Sequence, residues 1–248
     1  MKKETLYNST KNIYNEMITR IEDVWPNEHN NELVSTYSAQ VGDLYPENDF
    51  SGILIYGRSS NGWDRTCPNG IEDHRTVYDM RNMEIQSKRR MYYRFIKGVV
   101  GNFYPIDEWY NYIAISNITK IVFCDKGNPS EELWDKQYDY LKPILEKEIQ
   151  ILSPKVVVFI IGSNIRSGYE SPIYDLYPCI KDKSALIDKQ IWGKYDSKNG
   201  EKYLTTTTYE IGKRLFIFTD RPDSKQGKPY INNHINTLVN VIKYNSEM

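Results

Sequence analysis

Three stretches of this chain end an apolar run in residues of the kind that hold ligands. The first is Gly57-Arg58-Ser59-Ser60-Asn61-Gly62-Trp63-Asp64, directly after the apolar residues 53–56. The second is Ser116-Asn117, and the third is Thr219-Asp220-Arg221-Pro222-Asp223. Each offers a different chemistry. Trp63 offers a flat face for stacking or, equally, an ordinary core indole. The Asn117 amide carries donor and acceptor side by side, and serves as well to tie a strand end to a loop. Asp64 could hold and polarise a water if its loop turned inward; the alternative is a solvated aspartate beside Arg65. Ser59 cannot act as a general base at neutral pH. Arg221 is a permanent cation suited to an anionic group, or to pairing with Asp220 or Asp223.

Several familiar chemistries are excluded by pattern. Neither GxGxxG nor GxxxxGK[ST] occurs in the first loop, so it is no nucleotide-phosphate cradle. The sequence Gly57-Arg58-Ser59-Ser60-Asn61 lacks the last glycine of a GxSxG nucleophile elbow. Cys67, Cys124 and Cys179 are widely spaced, with no CxxC pair, and this usage fits a reducing compartment. His29, His74 and His234 have no metal-ligand spacing, so no metal and no cofactor is expected.

These residues need elements to position them. Residues 4–23 have a helical rhythm of apolar positions. Residues 53–57 and 155–161 read as fully buried strands, and 111–118 as a third strand. The stretch 58–80 reads as a long loop of functional type. Residues 82–100 read as one basic helix carrying Lys88, Arg89, Arg90, Arg94 and Lys97. Ser130 is placed to cap a helix running past Pro143, where a kink or a junction of two helices is expected. Residues 163–200 are poorly patterned, with a short helix expected over 184–195. YLTTTTYE and RLFIFT read as strands joined by a turn at Ile211-Gly212-Lys213, and a helix ends the chain.

Alternation of strands and helices predicts a three-layer α/β/α sandwich with a mostly parallel central sheet. In such folds ligands sit beyond the carboxyl ends of the strands, which brings the three stretches together. The 248 residues, 40% apolar and 26% charged, fit one domain over 1–248 with an N-terminal helical segment of about 1–48. A net charge of −1 advertises no global attraction to nucleic acid, although a local basic face suffices. The N-terminus has no apolar core of signal-peptide length, and the longest apolar run, 156–162, is strand-sized. A cytoplasmic location and no membrane partner are therefore expected.

In order and spacing across about residues 50–240, the three stretches resemble the uracil-DNA glycosylase superfamily. The strand and small-residue loop from Gly57 to Trp63 resembles its first motif, which holds the base and the attacking water. Asn117, ending YIAISNITK, stands where that superfamily reads the base edge. LKPILEKEIQILSPKVVVFIIG resembles its long helix and following strand. Thr219-Asp220-Arg221-Pro222-Asp223 stands where its His-Pro-Ser loop enters the minor groove. Trp63 falls where the single-strand-selective branch stacks an aromatic. Two positions depart: Ser59 replaces the usual water-activating Asp or Asn, and Arg221 replaces the His that stabilises the departing base.

The resemblance implies a cofactor-free DNA-repair glycosylase that acts, as a monomer, on single- or double-stranded DNA containing uracil or a related base. Ser59, Asp64 and Arg221 would form its catalytic positions, and Gly57, Asn61, Gly62, Trp63 and Asn117 its base pocket. Pro222, Asp223, Lys225 and Lys228 would contact DNA, with the basic helix as a further phosphate-contacting face. The altered pair Ser59 and Arg221 favours a second reading, a non-catalytic module that retains the pocket and binds a modified base, a nucleotide or a partner protein. A third reading is an unrelated α/β hydrolase acting on nucleosides or small esters.

Overall fold

The computed structural model describes residues 1–24, 34–58, 80–123, 128–162, 168, 170–197, 200–222 and 227–246. Helix α1 (Lys2–Val24) buries Leu6, Tyr14, Met17 and Ile21, a stripe at helical spacing. Two short strands follow, β1 (Val34–Thr36) and β2 (Gln40–Val41). Strand β3 (Ile53–Gly57) is buried along its whole length, as an unbroken apolar run demands of a strand covered on both faces. Helices α2 (Asn82–Arg89) and α3 (Met91–Val100) lead through a 3-10 turn at Trp109–Tyr112 to the buried strand β4 (Ile113–Asn117). Next come β5 (Ile121–Phe123), α4 (Glu131–Leu152) and the buried strand β6 (Val156–Ile160). Short helices α5 (Ser171–Leu176) and α6 (Pro178–Lys181) precede the long hairpin β7 (Leu186–Ser197) and β8 (Gly200–Ile211). The described chain ends with β9 (Arg214–Thr219) and α7 (Gly227–Ser246).

Seven strands form one sheet in the order β2-β4-β3-β6-β9-β8-β7, and β1 pairs with β5 in a separate two-stranded sheet. The centre is parallel: β4, β3, β6 and β9 align with Ile53 opposite Ile113 and Val156, and Val156 opposite Leu215. At the edges, β2, β8 and β7 run antiparallel to their neighbours. The α/β architecture is as expected, and its sheet is mixed, with a four-stranded parallel core between antiparallel edges. Alternation along each strand divides the side chains between two helix layers. Ile53, Ile55, Ile113, Val156, Val158 and Ile217 pack with residues of α3 and α7. Leu54, Tyr56, Ala114, Val157, Phe159 and Phe216 pack with α1, α4, α5 and α6. Burying each such aliphatic side chain contributes about 1.5–3 kcal/mol.

Local signals hold where they are chemically specific. The Ser130 hydroxyl accepts the Leu133 N–H at 3.2 Å and caps α4. Gly212 turns the β8–β9 hairpin at φ +62°, a conformation that costs glycine little. At Pro143, α4 runs through as one helix rather than two.

Two helical expectations are corrected. Residues 82–100 are two helices, broken at Arg90 in extended conformation (φ −114°, ψ 129°). The break has long-range causes. Glu84 accepts from Lys97 Nζ at 2.6 Å and from Trp109 Nε1 at 2.8 Å, which folds α2 back on α3. The Arg94 guanidinium donates to the Lys88 carbonyl at the end of α2. Residues 184–195, expected to be helical, lie mostly in β7. Register shifts between Leu186 and Asp188, and between Ile191 and Gly193, interrupt its two-residue alternation. The apolar residues are thereby spaced in a way that imitates a helix.

Candidate functional site

The carboxyl ends of the parallel strands lie side by side, with Gly57 in register with Asn117 on one side and Ile160 on the other. Backbone bonds lock the exits of β3 and β4 together. Ile118 N–H donates to Gly57 O at 2.9 Å, and Thr119 donates to Arg58 O from its N–H (2.9 Å) and its hydroxyl (2.7 Å). Arg58 then reaches across to β6, its Nε donating to Ile161 O at 2.5 Å. After β3 the next described elements are α2 and α3, in one helix layer, and after β6 they are α5 and α6, in the other. The carboxyl edge between two such strands is where open α/β sheets receive ligands.

Above Gly57 the space is closely shared. A Cβ at this residue would lie 2.5 Å from Asn117 Oδ1 and 2.9 Å from the Tyr92 hydroxyl. A larger residue would have to displace both side-chain ends, because the amide and the phenol converge over one backbone atom. Asn117 is buried. The Tyr92 hydroxyl is buried and has no hydrogen-bond partner among the described residues, an unusual condition for a phenol. Burial raises its pKa, and the positive charge of Arg221 acts in the opposite direction. Arg221 is exposed at the exit of β9 and followed by the buried Pro222, near enough for its charge to act on Tyr92. The neighbouring Asp220 serves the hairpin: its Oδ2 accepts the Thr205 N–H at 2.7 Å.

Of the residues expected from sequence, Gly57 and Asn117 adjoin, and Arg221 exerts its charge on Tyr92. Ser59, Asn61, Gly62, Trp63, Asp64, Asp223 and Lys225 lie outside the described residues. Lys228 lies in the first turn of α7. The basic residues Lys88, Arg89 and Arg90 are exposed where α2 meets α3, two to four residues from Tyr92. They cluster at the turn into α3, whose Tyr92 reaches the rim formed by the strand ends.

Three features escape sequence reasoning. Tyr92 stands in the apolar run of α3, where it looks like a core residue. Glu170, buried immediately before α5, has its carboxyl pKa raised by burial, with its own backbone and the Arg58 charge acting against the shift. The third is a buried polar cluster beneath the rim. Lys120 Nζ donates to Glu148 Oε1 (2.7 Å) and Oε2 (3.0 Å) and to Ser116 Oγ (2.7 Å). Ser116 and Tyr56 hydroxyls donate to the same carboxylate, at 3.0 and 2.9 Å. Glu148 does leave a signal, a lone charge on the helical face of Ile144, Leu145, Ile149 and Leu152.

Among the described residues, no group of three or more His, Cys, Asp or Glu side chains could hold a metal ion. No helix of the described residues is long and apolar enough to cross a membrane. An open groove of about 750 Å³ lies at the other end of α7, lined by Asp188, Gln190, Lys243 and Tyr244 among others. It is remote from the strand ends. No family model matches this chain, and no curated protein is significantly similar to it. The fold and site thus define an α/β protein with an amide and a phenol gathered at the carboxyl edge of its parallel strands.

Proposed function

We propose that this protein accepts an extruded nucleobase at the Gly57–Asn117 corner and hydrolyses its N-glycosidic bond. The observation that carries the reading is the convergence of the Asn117 amide and the Tyr92 hydroxyl over Gly57, with the positive charge of Arg221 acting on Tyr92. A flat heterocycle with carbonyl and N–H groups matches an amide that offers both donor and acceptor. The exposed Lys88, Arg89 and Arg90 suit the phosphates on either side of such a base. The likeness of the three strand-end stretches to the uracil-DNA glycosylase superfamily points to the same chemistry.

In this reading the base leaves its stack and enters the Gly57–Asn117 corner. Asn117 reads its edge. Bond cleavage leaves negative charge on the departing base, and Arg221 stabilises that charge as it develops. Asp64, rather than Ser59, holds the attacking water. Trp63 stacks on the base, a contribution of about 1–3 kcal/mol in single-strand sites.

The test is an excision assay on single- and double-stranded oligonucleotides carrying uracil, hypoxanthine or xanthine, with abasic sites revealed by alkali. Strand breaks at the modified position in at least one substrate are expected. Tight binding without breaks would instead favour a non-catalytic recognition module. That alternative draws on Ser59 and Arg221 standing where the resemblance expects a water-activating group and a histidine.

A further inference from the structure

We propose that the buried cluster Tyr56–Ser116–Lys120–Glu148 is a positioning device that fixes Gly57 and Asn117 from below. Its role as a ligand-site support rests on the reading above; its mechanical role does not. Three of its four members adjoin the rim. Tyr56 precedes Gly57, Ser116 precedes Asn117, and Lys120 closes the turn that begins at Asn117. Lys120 is fully buried and Glu148 nearly so. Both carboxylate oxygens accept from Lys120 and from Ser116, and Oε2 accepts from Tyr56 as well. The cluster therefore ties the penultimate residues of two adjacent strands to one point on α4.

A second tether lies about three turns earlier on the same helix. Gln137 Oε1 accepts the backbone N–H groups of Lys120 (2.9 Å) and Ile121 (3.1 Å), while its Nε2 donates to Ile121 O at 3.0 Å. The segment 116–121 is thus held by side chain and by backbone on the rigid body of α4. The cost of burying a lysine and a glutamate argues that the cluster does more than stabilise. Well-packed apolar residues of similar volume serve stability as well or better. Directional bonds fix orientation, which apolar packing does not. That is what a site reading a ring edge needs, because productive geometry tolerates errors of only about half an ångström.

The experiment replaces the whole cluster by apolar residues, as Tyr56→Phe, Ser116→Ala, Lys120→Met and Glu148→Leu together. Three quantities are measured: the melting temperature, amide hydrogen exchange, and affinity for a single-stranded oligonucleotide carrying a non-cleavable 2′-fluoro-deoxyuridine. A melting temperature equal to or above wild type is expected. Exchange at Gly57 and Asn117 should become at least tenfold faster, while Val157 and Val158 in β6 remain as protected as before. Probe affinity should fall at least tenfold. Unchanged exchange at Gly57 and Asn117 would overturn the proposal. If the quadruple variant does not fold, Tyr56→Phe alone removes one bond to the carboxylate. It should speed rim exchange about threefold against an unchanged β6, and equal rates would again overturn the proposal. Failure of the wild-type protein to bind the probe would count against the nucleobase reading only, and the exchange measurement would still decide the positioning role.

Discussion

At Gly57 a single methyl group is enough to test the corner. It would stand 2.5 Å from Asn117 Oδ1 and 2.9 Å from the Tyr92 hydroxyl, so both side chains would have to move. Gly57→Ala is expected to cost roughly 1–3 kcal/mol in urea unfolding, as overpacking generally does. It should also abolish oligonucleotide binding; an unperturbed variant would mean that the corner is looser than described. His234 makes a different prediction. Its ring lies between Trp192 and Phe95, with centroids at 3.9 and 4.1 Å, and its Nε2 bonds Thr219 Oγ1 at 2.6 Å. Burial lowers its pKa from 6.5 to about 3. Between these values the unfolded chain binds the proton and the folded chain does not. The stability from the neutral ring is therefore complete above pH 6.5 and declines as pH falls towards 3, by up to ~1.4 kcal/mol per pH unit. Unfolding free energies from about pH 7 to pH 4 should fall less steeply in His234→Phe than in wild type. Equal slopes would show that His234 does not carry the acid response. At this scale the sequence is legible where a residue type is rare in its setting. Asn117 at a strand end and Glu148 on an apolar helix face are such cases. Tyr92 is not, because a tyrosine among apolar helix residues looks the same whether it packs or points at a ligand.

Elements are legible where one local signal decides them. β3 and β6 are continuous apolar runs, α4 begins at a capping serine, and the β8–β9 turn falls on Gly212. Ser130→Ala should accordingly destabilise the protein by about 1 kcal/mol in denaturant unfolding, the usual worth of such a cap. A change within about ±0.2 kcal/mol would mean that the Leu133 N–H finds another partner. Elements are illegible where distant residues decide them. The α2–α3 break has no proline or glycine to announce it. Its causes are Glu84 held by Lys97 and Trp109, residues 13 and 25 positions away. β7 reads as a helix because its register shifts disturb strand alternation. Its identity comes from pairing with the threonine-rich β8, whose β-branched residues favour strands.

On the scale of the whole molecule, the parallel core gathers distant stretches of chain at one edge, while charge is distributed unevenly around it. The net charge is −1, yet Lys88, Arg89 and Arg90 are exposed together at the turn into α3. Oligonucleotide binding should therefore weaken with salt. Replacing Lys88 and Arg89 by Ala should reduce the log–log salt slope by roughly 0.7 for each single-strand phosphate that is no longer neutralised. An unchanged slope would move the nucleic-acid path elsewhere on the surface. The most direct measurement is base release from the preferred modified oligonucleotide by wild type and by Asn117→Ala, with both melting temperatures recorded. The account predicts release by wild type and a loss of roughly 100-fold or more in the variant at similar stability, the scale of removing one transition-state donor. Equal release by the two proteins, or none by a folded wild type, would contradict it.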